Sequence, residues 1–265
     1  MQPLGFHITM RLRCSAVLAA EATAQRRLAL ALLKAARPFE LLAFRAADDH
    51  LHLLTSASRE DAGELARRVQ IALVNTLRPP SGFQPAWLEP VVDGRHLRRA
   101  FLYVLRQDQR HGFAHDPFAE ASNLPDLLGL RVPGIWTAAL VRRRLPRVGR
   151  PDLLPLIGAP DLDERELDFA ALAEASLAQA TLAATAGADL RSRDPLQVQA
   201  GAAAVRLAEG KLGTAALAAA LGITARTVQR LREQPVEPRV LKAVEGQLRL
   251  RAESPEPAAF EAVDD

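Results

Sequence analysis

The sequence predicts an α+β fold: an antiparallel sheet with helices on one face, followed by an all-α region that contains a helix-turn-helix. Three observations predict this fold. Between residues 6 and 111, segments with strand-like alternation and segments with helical periodicity run in the order strand, helix, strand, strand, helix, strand, helix. Alanine-rich segments with helical periodicity follow from residue 161. Residues 214–231 (TAALAAALGITARTVQRL) have the spacing of a helix-turn-helix.

Turn and breaker residues separate the predicted elements. Residues 6–13 (FHITMRLR) alternate between polar and apolar side chains, as a half-buried strand does. The other predicted strands cover residues 39–47, 50–55 and 87–92, with Asp48-Asp49 as a hairpin turn. Helices are predicted at residues 20–36, 61–77 and 94–111, the last with Asp93 as N-cap and Gly112 as C′ residue. One or two further helices are predicted within 161–186, and another at 195–209.

Composition limits the class of protein. Apolar residues make up 49% of the chain, which is enough for a core and excludes global disorder. The single cysteine, Cys14, excludes an internal disulfide framework and a zinc-finger spacing. We find no signal peptide and no apolar run of about 20 residues that could span a bilayer, so we expect a cytoplasmic protein without membrane contact.

Charge is unevenly distributed along the chain. The net charge is +3, but residues 1–150 hold 22 Lys and Arg against 13 Asp and Glu, whereas residues 151–265 hold 12 against 18. Nearly all of the cations are arginines, whose planar guanidinium groups match phosphate oxygens. The first half therefore favours contact with nucleic acid, although a genome rich in G and C would produce the same arginine bias.

His50 and His52 flank a leucine within a predicted strand, so their side chains share one face. Two imidazoles and an oxygen ligand suit Mg²⁺ or Mn²⁺ with open coordination positions. Asp48 has the same parity and would join the pair if the strand began early enough. The alternative interpretation is an exposed histidine pair without a ligand.

Tyr103 is the single tyrosine of the chain and lies on the helix predicted at residues 94–111. Gln107 follows one helical turn later on the same face and can supply an oxygen ligand. A phenol holds its proton near neutral pH, so a nearby metal ion would be needed to make it a nucleophile toward a phosphate. The alternative is a core aromatic residue whose hydroxyl lies at the rim.

These segments together resemble a known family. Residues 37–52, which run from Arg-Pro-Phe-Glu to Asp-His-Leu-His, and residues 103–112 are similar to the single-tyrosine HUH transposases, especially the REP-associated tyrosine transposases. The resemblance covers roughly residues 5–115. Asp49 stands where the family more often has Asn or Glu, and Gln107-Asp108 stand where Asn-Pro is often found.

The resemblance implies a ferredoxin-like sheet that binds single-stranded or hairpin DNA. It also implies Tyr103 as nucleophile, and His50, His52 and Gln107 as ligands of Mg²⁺ or Mn²⁺. Attack by the tyrosine would give a 5′-phosphotyrosine and release a 3′-hydroxyl. The arginines expected to contact DNA in this part of the chain are Arg11, Arg13, Arg99, Arg106 and Arg110.

The helix-turn-helix pattern adds a second DNA contact. Gly222 lies at the predicted turn, Thr224 can cap the second helix, and apolar residues at five positions supply a small core. The side chains expected to face the major groove, where Arg reads guanine and Gln reads adenine, are Arg226, Thr227, Gln229 and Arg230. An αα-hairpin that serves only as a packing unit is the alternative.

We expect four parts: a nuclease-like domain at 1–118, a helical linker region at 119–195, a helix-turn-helix DNA-binding domain at 196–252, and a flexible acidic tail at 253–265. The resulting hypothesis is metal-dependent cleavage and rejoining of DNA by a monomer or homodimer. A DNA-binding regulator without catalytic activity, derived from such an enzyme, is the second hypothesis. A module that binds RNA or hairpins is the third.

Overall fold

A computed structural model of the chain describes residues 2–107, 116–165, 167, 169, 172 and 174–253. In this part, four strands form one antiparallel sheet in the order β2-β3-β1-β4. The strands are β1 (Gly5–Arg11), β2 (Leu41–Ala47), β3 (His50–Thr55) and β4 (Trp87–Val91). Helix α1 (Ala22–Ala36) connects β1 to β2, and helix α2 (Arg59–Leu77) connects β3 to β4. This βαββαβ order is that of a ferredoxin-like sheet, and it confirms the predicted α+β class.

The two faces of the sheet are covered differently. Helices α1 and α2 pack on the face that carries apolar side chains of β1 and β3, including Ile8 and Leu53. The third helix, α3 (Gly94–Leu105), packs on the opposite face, where Phe101 and Val104 meet Leu54. The predicted layer of helices on one face is present as α1 and α2, whereas α3 covers the other face of the sheet.

Helix boundaries follow from capping groups. Ser58 accepts a hydrogen bond from the Asp61 backbone N–H at 3.1 Å, so α2 begins two residues before the predicted start. The predicted N-cap of α3 is confirmed, because Asp93 Oδ1 accepts from the His96 backbone N–H at 2.7 Å. Helix α3 ends at Leu105, whereas the prediction extended it to residue 111. The predicted C′ residue Gly112 lies outside the described residues.

The remainder of the described chain is helical. It contains α4 (Leu124–Leu127), α5 (Ile135–Arg144), α6 (Arg150–Leu153), a short 3₁₀ helix (Leu154–Ile157), α7 (Glu174–Ala183), α8 (Pro195–Leu207), α9 (Thr214–Leu221), α10 (Ala225–Arg232) and α11 (Pro238–Glu253). Helices α4 to α6 share an apolar core with α3 and the sheet. Helices α7 to α11 form a third core, besides those on the two faces of the sheet. The predicted domain boundaries stay predictions, and the tail from residue 254 lies outside the described residues.

None of the helices in the described part is long and apolar enough to cross a membrane.

A buried ionic cluster surrounds residues 120–131, ahead of α5. Arg131 and Asp126 are both fully buried and form an ion pair. Arg131 also donates to the backbone carbonyl of Glu120 at 2.8 Å and to that of Ser122. Burial raises the pKa of the Glu120 carboxyl, while Arg26 of α1 opposes that shift from 3.5 Å. The charges are compensated by partners within this cluster, as buried charges must be.

Substitution of Asp126 by Asn should lower the free energy of unfolding by about 3–5 kcal/mol, because it leaves the buried Arg131 charge without its carboxylate. Urea denaturation followed by circular dichroism measures this loss. Glu64→Gln, which removes exposed ion pairs with Arg67 and Arg68, is the control and should leave the urea midpoint nearly unchanged. Equal midpoints for the two variants would contradict the importance of the buried pair.

Candidate active site

The histidine pair lies in the middle of the sheet, on the face that α3 covers. His50 and His52 are both buried, and their ring centroids are 4.8 Å apart. In the sheet register, Thr9 of β1 is opposite His52 on one side, and Arg45 of β2 is opposite it on the other. The predicted strand and its shared face are confirmed, so two imidazoles stand side by side in a site that is mostly shielded from water.

Asp49 contacts the pair, whereas Asp48 does not belong to the strand. Asp49 Oδ1 lies 3.0 Å from His50 Nδ1, and Asp49 Oδ2 lies 3.5 Å from Arg11 Nε. Strand β3 begins at His50, so the condition under which Asp48 would join the histidines is not met. Asp48 is exposed in the turn with a φ of 51°. Its role as a ligand stays a prediction, and the carboxylate beside the pair is that of Asp49.

The ring of Tyr103 lies against this cluster. Its centroid is 5.8 Å from that of His52 and 5.5 Å from that of His7, with both imidazole planes close to perpendicular to the phenol. Helix α3 brings Tyr103 there because its apolar residues, including Phe101 and Val104, are packed onto the sheet. The structure therefore brings together the single tyrosine and the histidine pair, which are 51 residues apart along the chain.

His7 belongs to the same cluster, and the sequence analysis did not select it. Its Nε2 lies 3.0 Å from His52 Nδ1, and its Nδ1 lies 3.7 Å from Glu89 Oε2 on β4. Burial lowers the pKa of His7, while Glu89 acts in the opposite direction. His7 has the same strand parity as Thr9, but only the pairing of β1 with β3 places it beside His52.

Gln107 follows the end of α3 and is buried. Its Nε2 donates to the Tyr103 carbonyl at 3.1 Å, which fixes the orientation of the amide. Its Oε1 is buried and has no hydrogen-bond partner among the described residues. An amide oxygen in that state is a suitable ligand for a hard cation.

The imidazoles and carboxylates of the described residues do not form a three-ligand ion site by themselves. Within residues 2–107 and the later described segments, no three His, Cys, Asp or Glu side chains are grouped so that they could hold one ion. His50 Nδ1 contacts Asp49, and His52 Nδ1 contacts His7 and Thr9. Outer partners of this kind orient metal-binding histidines, so Nε2 would be the ligating nitrogen in both rings.

The charges around the site suit a phosphate. Burial lowers the pKa of Arg45 to about 10, while Asp116 opposes the shift, so this guanidinium opposite His52 still carries a charge at neutral pH. Beside Tyr103 opens a cleft of about 410 Å³. The residues that line it are His7, Glu89, His96, Arg99, Ala100 and Tyr103.

The predicted DNA-contacting arginines are distributed around this region. Arg99 lines the cleft, and Arg106 is exposed at the end of α3. Arg11 pairs with Asp49, and Arg13 donates to the Phe83 carbonyl at 3.2 Å. Arg110 lies outside the described residues. Arg45 and His96 were missed, because neither lies in a motif that marks it in the sequence.

The helix-turn-helix pattern corresponds to α9 and α10. Gly222 joins the helices with a φ of 61°, and Thr224 Oγ1 accepts from the Thr227 backbone N–H at 3.2 Å. Leu217 and Val228 are fully buried in the core that these helices share with α7, α8 and α11. Of the residues predicted to read bases, Arg226, Gln229 and Arg230 are exposed, and Thr227 is partly buried.

Comparison with known proteins finds a partial structural similarity. A solved structure of a REP associated tyrosine transposase bound to a REP hairpin matches 46% of this chain and 78% of its own chain, with 20% sequence identity and a TM-score of 0.40. No family model matches the chain, and no curated protein matches it. A similarity this low shows nothing about the roles of the individual site residues.

In metal-free protein, the pKa of His7 should lie below the ordinary histidine value of 6.5, because burial disfavours its charged form. Glu89→Gln should lower it further, since the carboxylate favours the imidazolium. Histidine ring resonances followed by NMR against pH measure both effects. A rise in the pKa of His7 in the Glu89→Gln protein would contradict the contact between the two side chains.

Proposed function

We propose that the protein cleaves and rejoins single-stranded or hairpin DNA, with Tyr103 as the nucleophile. The observation that carries the proposal is the contact of the Tyr103 ring with His7 and His52, with His50 beside them. The phenol supplies a nucleophile, and the imidazoles and the Gln107 Oε1, which has no partner among the described residues, supply candidate ligands for an ion that would assist it.

In the proposed reaction, the Tyr103 oxygen attacks the phosphorus of one phosphodiester bond. The new bond is a 5′-phosphotyrosine, the bond to the 3′ oxygen breaks, and the proton lost by the phenol balances the proton gained by the 3′-hydroxyl. The phosphodiester energy is conserved in the tyrosine ester, so a second 3′-hydroxyl can reverse the reaction and join strands. The edge contacts of His7 and His52 orient the phenol ring toward the cleft.

His50, His52 and Gln107 would hold a divalent ion, Mg²⁺ or Mn²⁺. When bound, such an ion supplies Lewis-acid polarisation of the scissile phosphate. Asp49 keeps the His50 ring in one orientation, and the contact of His7 and Thr9 with Nδ1 does the same for His52. The positive charge of Arg45 favours an anionic substrate near this face of the sheet.

A second candidate function is DNA-binding regulation without strand cleavage. The observation that favours it is the recognition-helix face of α10, where Arg226, Gln229 and Arg230 are exposed and directed away from the helical core. Such a face reads bases in the major groove independently of any chemistry at Tyr103. The two functions are compatible, because they use different parts of the chain.

Tyr103→Phe should abolish formation of a covalent protein–DNA adduct and leave binding of hairpin DNA within about twofold, because it removes one oxygen and keeps the ring. The measurement is denaturing gel electrophoresis after incubation of the protein with end-labelled hairpin DNA and Mn²⁺. Any tyrosine adduct must be at residue 103, since the chain has no other tyrosine. An equal adduct yield from the variant would remove Tyr103 from the mechanism, and DNA binding by the wild type without an adduct would favour the regulator.

His50→Ala and Gln107→Ala should each weaken Mn²⁺ binding about tenfold or more, because each removes one predicted ligand. Electron paramagnetic resonance of free Mn²⁺ during titration measures the affinity without DNA. The control is Glu64→Gln, an exposed carboxylate on the other side of the sheet. Unchanged Mn²⁺ affinity in both alanine variants would exclude this ligand set.

A further inference from the structure

Two adjoining cavities lie between α1 and the helix-turn-helix. One cavity of about 660 Å³ lies between α1, Trp136 and residues 185–197. A second cavity, of about 710 Å³, lies between residues 190–201 and the two helices α9 and α10. Ser192 and Gln197 line both cavities, so the two adjoin. We call this surface the basic groove. It lies on the side of the sheet that α1 covers, which is opposite to the side that carries Tyr103.

The charge of the basic groove is strongly positive. Two carboxylates line it, and both accept backbone hydrogen bonds: Asp189 from Arg191, and Asp194 from Leu196. Six cationic side chains line the same surface. They are Arg27, Lys34 and Arg37 from α1 and its C-cap, Arg191 and Arg193 from the loop before α8, and Arg230 from α10. This excess occurs although the second half of the chain is acidic as a whole.

The basic groove also adjoins α10, the helix that is predicted to contact bases. Arg191 donates to the Gly222 carbonyl in the turn of the helix-turn-helix at 3.4 Å. Thr227 and Arg230 of α10 form one wall of the second cavity. Gln197, which is buried between the two cavities, has an Nε2 without a hydrogen-bond partner among the described residues.

We propose that the basic groove binds duplex DNA through its phosphates and continues the DNA contact of α10 along α1. This proposal rests on the proposed DNA-binding function of the helix-turn-helix and extends it to the sheet domain. Arg27, Lys34 and Arg37 extend along about 15 Å of helix, at 1.5 Å per residue. That length matches about four base-pair steps of 3.4 Å. A duplex whose major groove receives α10 would thereby also lie against α1.

It follows from the proposal that single-stranded and double-stranded parts of the DNA lie on opposite faces of the sheet. The strand to be cleaved lies beside Tyr103 on the face covered by α3, and the duplex lies along the face covered by α1. A hairpin substrate offers both forms of DNA in one molecule. The charges of α1 act as phosphate contacts, so they add affinity without adding sequence preference.

The test is the salt dependence of duplex binding by the full chain. Fluorescence anisotropy with a random-sequence duplex is suitable, because phosphate contacts supply most of the non-specific affinity. Each lost phosphate contact lowers the slope of log K against log salt by about 0.9. Arg27→Gln with Lys34→Gln should therefore lower the slope by about 1.8 and weaken binding roughly tenfold or more at 0.1 M salt. Both side chains are exposed, so folding should be retained.

The matched control is Arg67→Gln with Arg68→Gln, which removes the same charge from the neighbouring helix α2 and lines neither cavity. A second variant, Arg27→Lys with Lys34→Arg, keeps the charge and should restore the wild-type slope. Equal slopes for the α1 variant and the α2 control would overturn the proposal, and so would the absence of duplex binding by the wild type. Formation of the covalent hairpin adduct at Tyr103 is measured separately with the same variants. It tests the proposed strand cleavage independently of duplex binding in the basic groove.

Discussion

The antiparallel pairing of β1 with β3 is the constraint on which the candidate site depends. It places Thr9 opposite His52 and directs His7, His50 and His52 to one face of the sheet. Since successive residues of a strand point to opposite faces, a slip of one residue would turn both β3 histidines into the core of α1 and α2. Burial of Ile8 and Leu53 on that other face opposes such a slip. The apolar face of the sheet therefore holds the polar site in register.

Helix α3 completes the site because its apolar side chains are buried against the sheet. Leu97, Phe101 and Val104 pack on the sheet and on the helices that follow. This leaves Tyr103 half-buried at the edge of the contact, with its ring against two imidazoles. The proposed nucleophile and the predicted metal ligands of β3 thus lie on regular elements, which hold geometry better than loops do.

The helical half of the chain is joined to the sheet by buried polar groups as well as by apolar packing. Arg26 of α1 donates to Gln179 of α7 at 2.8 Å and approaches Glu120, whose backbone carbonyl accepts from Arg131. This connection brings α1 next to the loop before α8, where the basic groove begins. These buried charges help to fix the relative position of the two halves, which the proposed DNA contact along the basic groove requires.

Features that depend on near neighbours along the chain could be predicted from the residues alone. Alternation and helical periodicity predicted the strands and α1 to α3, mostly to within a few residues, and capping rules predicted Asp93 and Gly222. The shared face of His50 and His52 follows from strand geometry alone. Only the tertiary structure decided which distant groups meet them. His7 and Arg45 join His52 through strand pairing. Asp49 rather than Asp48 lies beside the histidine pair because β3 begins at His50. The cations of α1 and those of the loop before α8 line two adjoining cavities. Local periodicity encodes the direction of a side chain, whereas register and packing, which depend on the whole core, encode its neighbours.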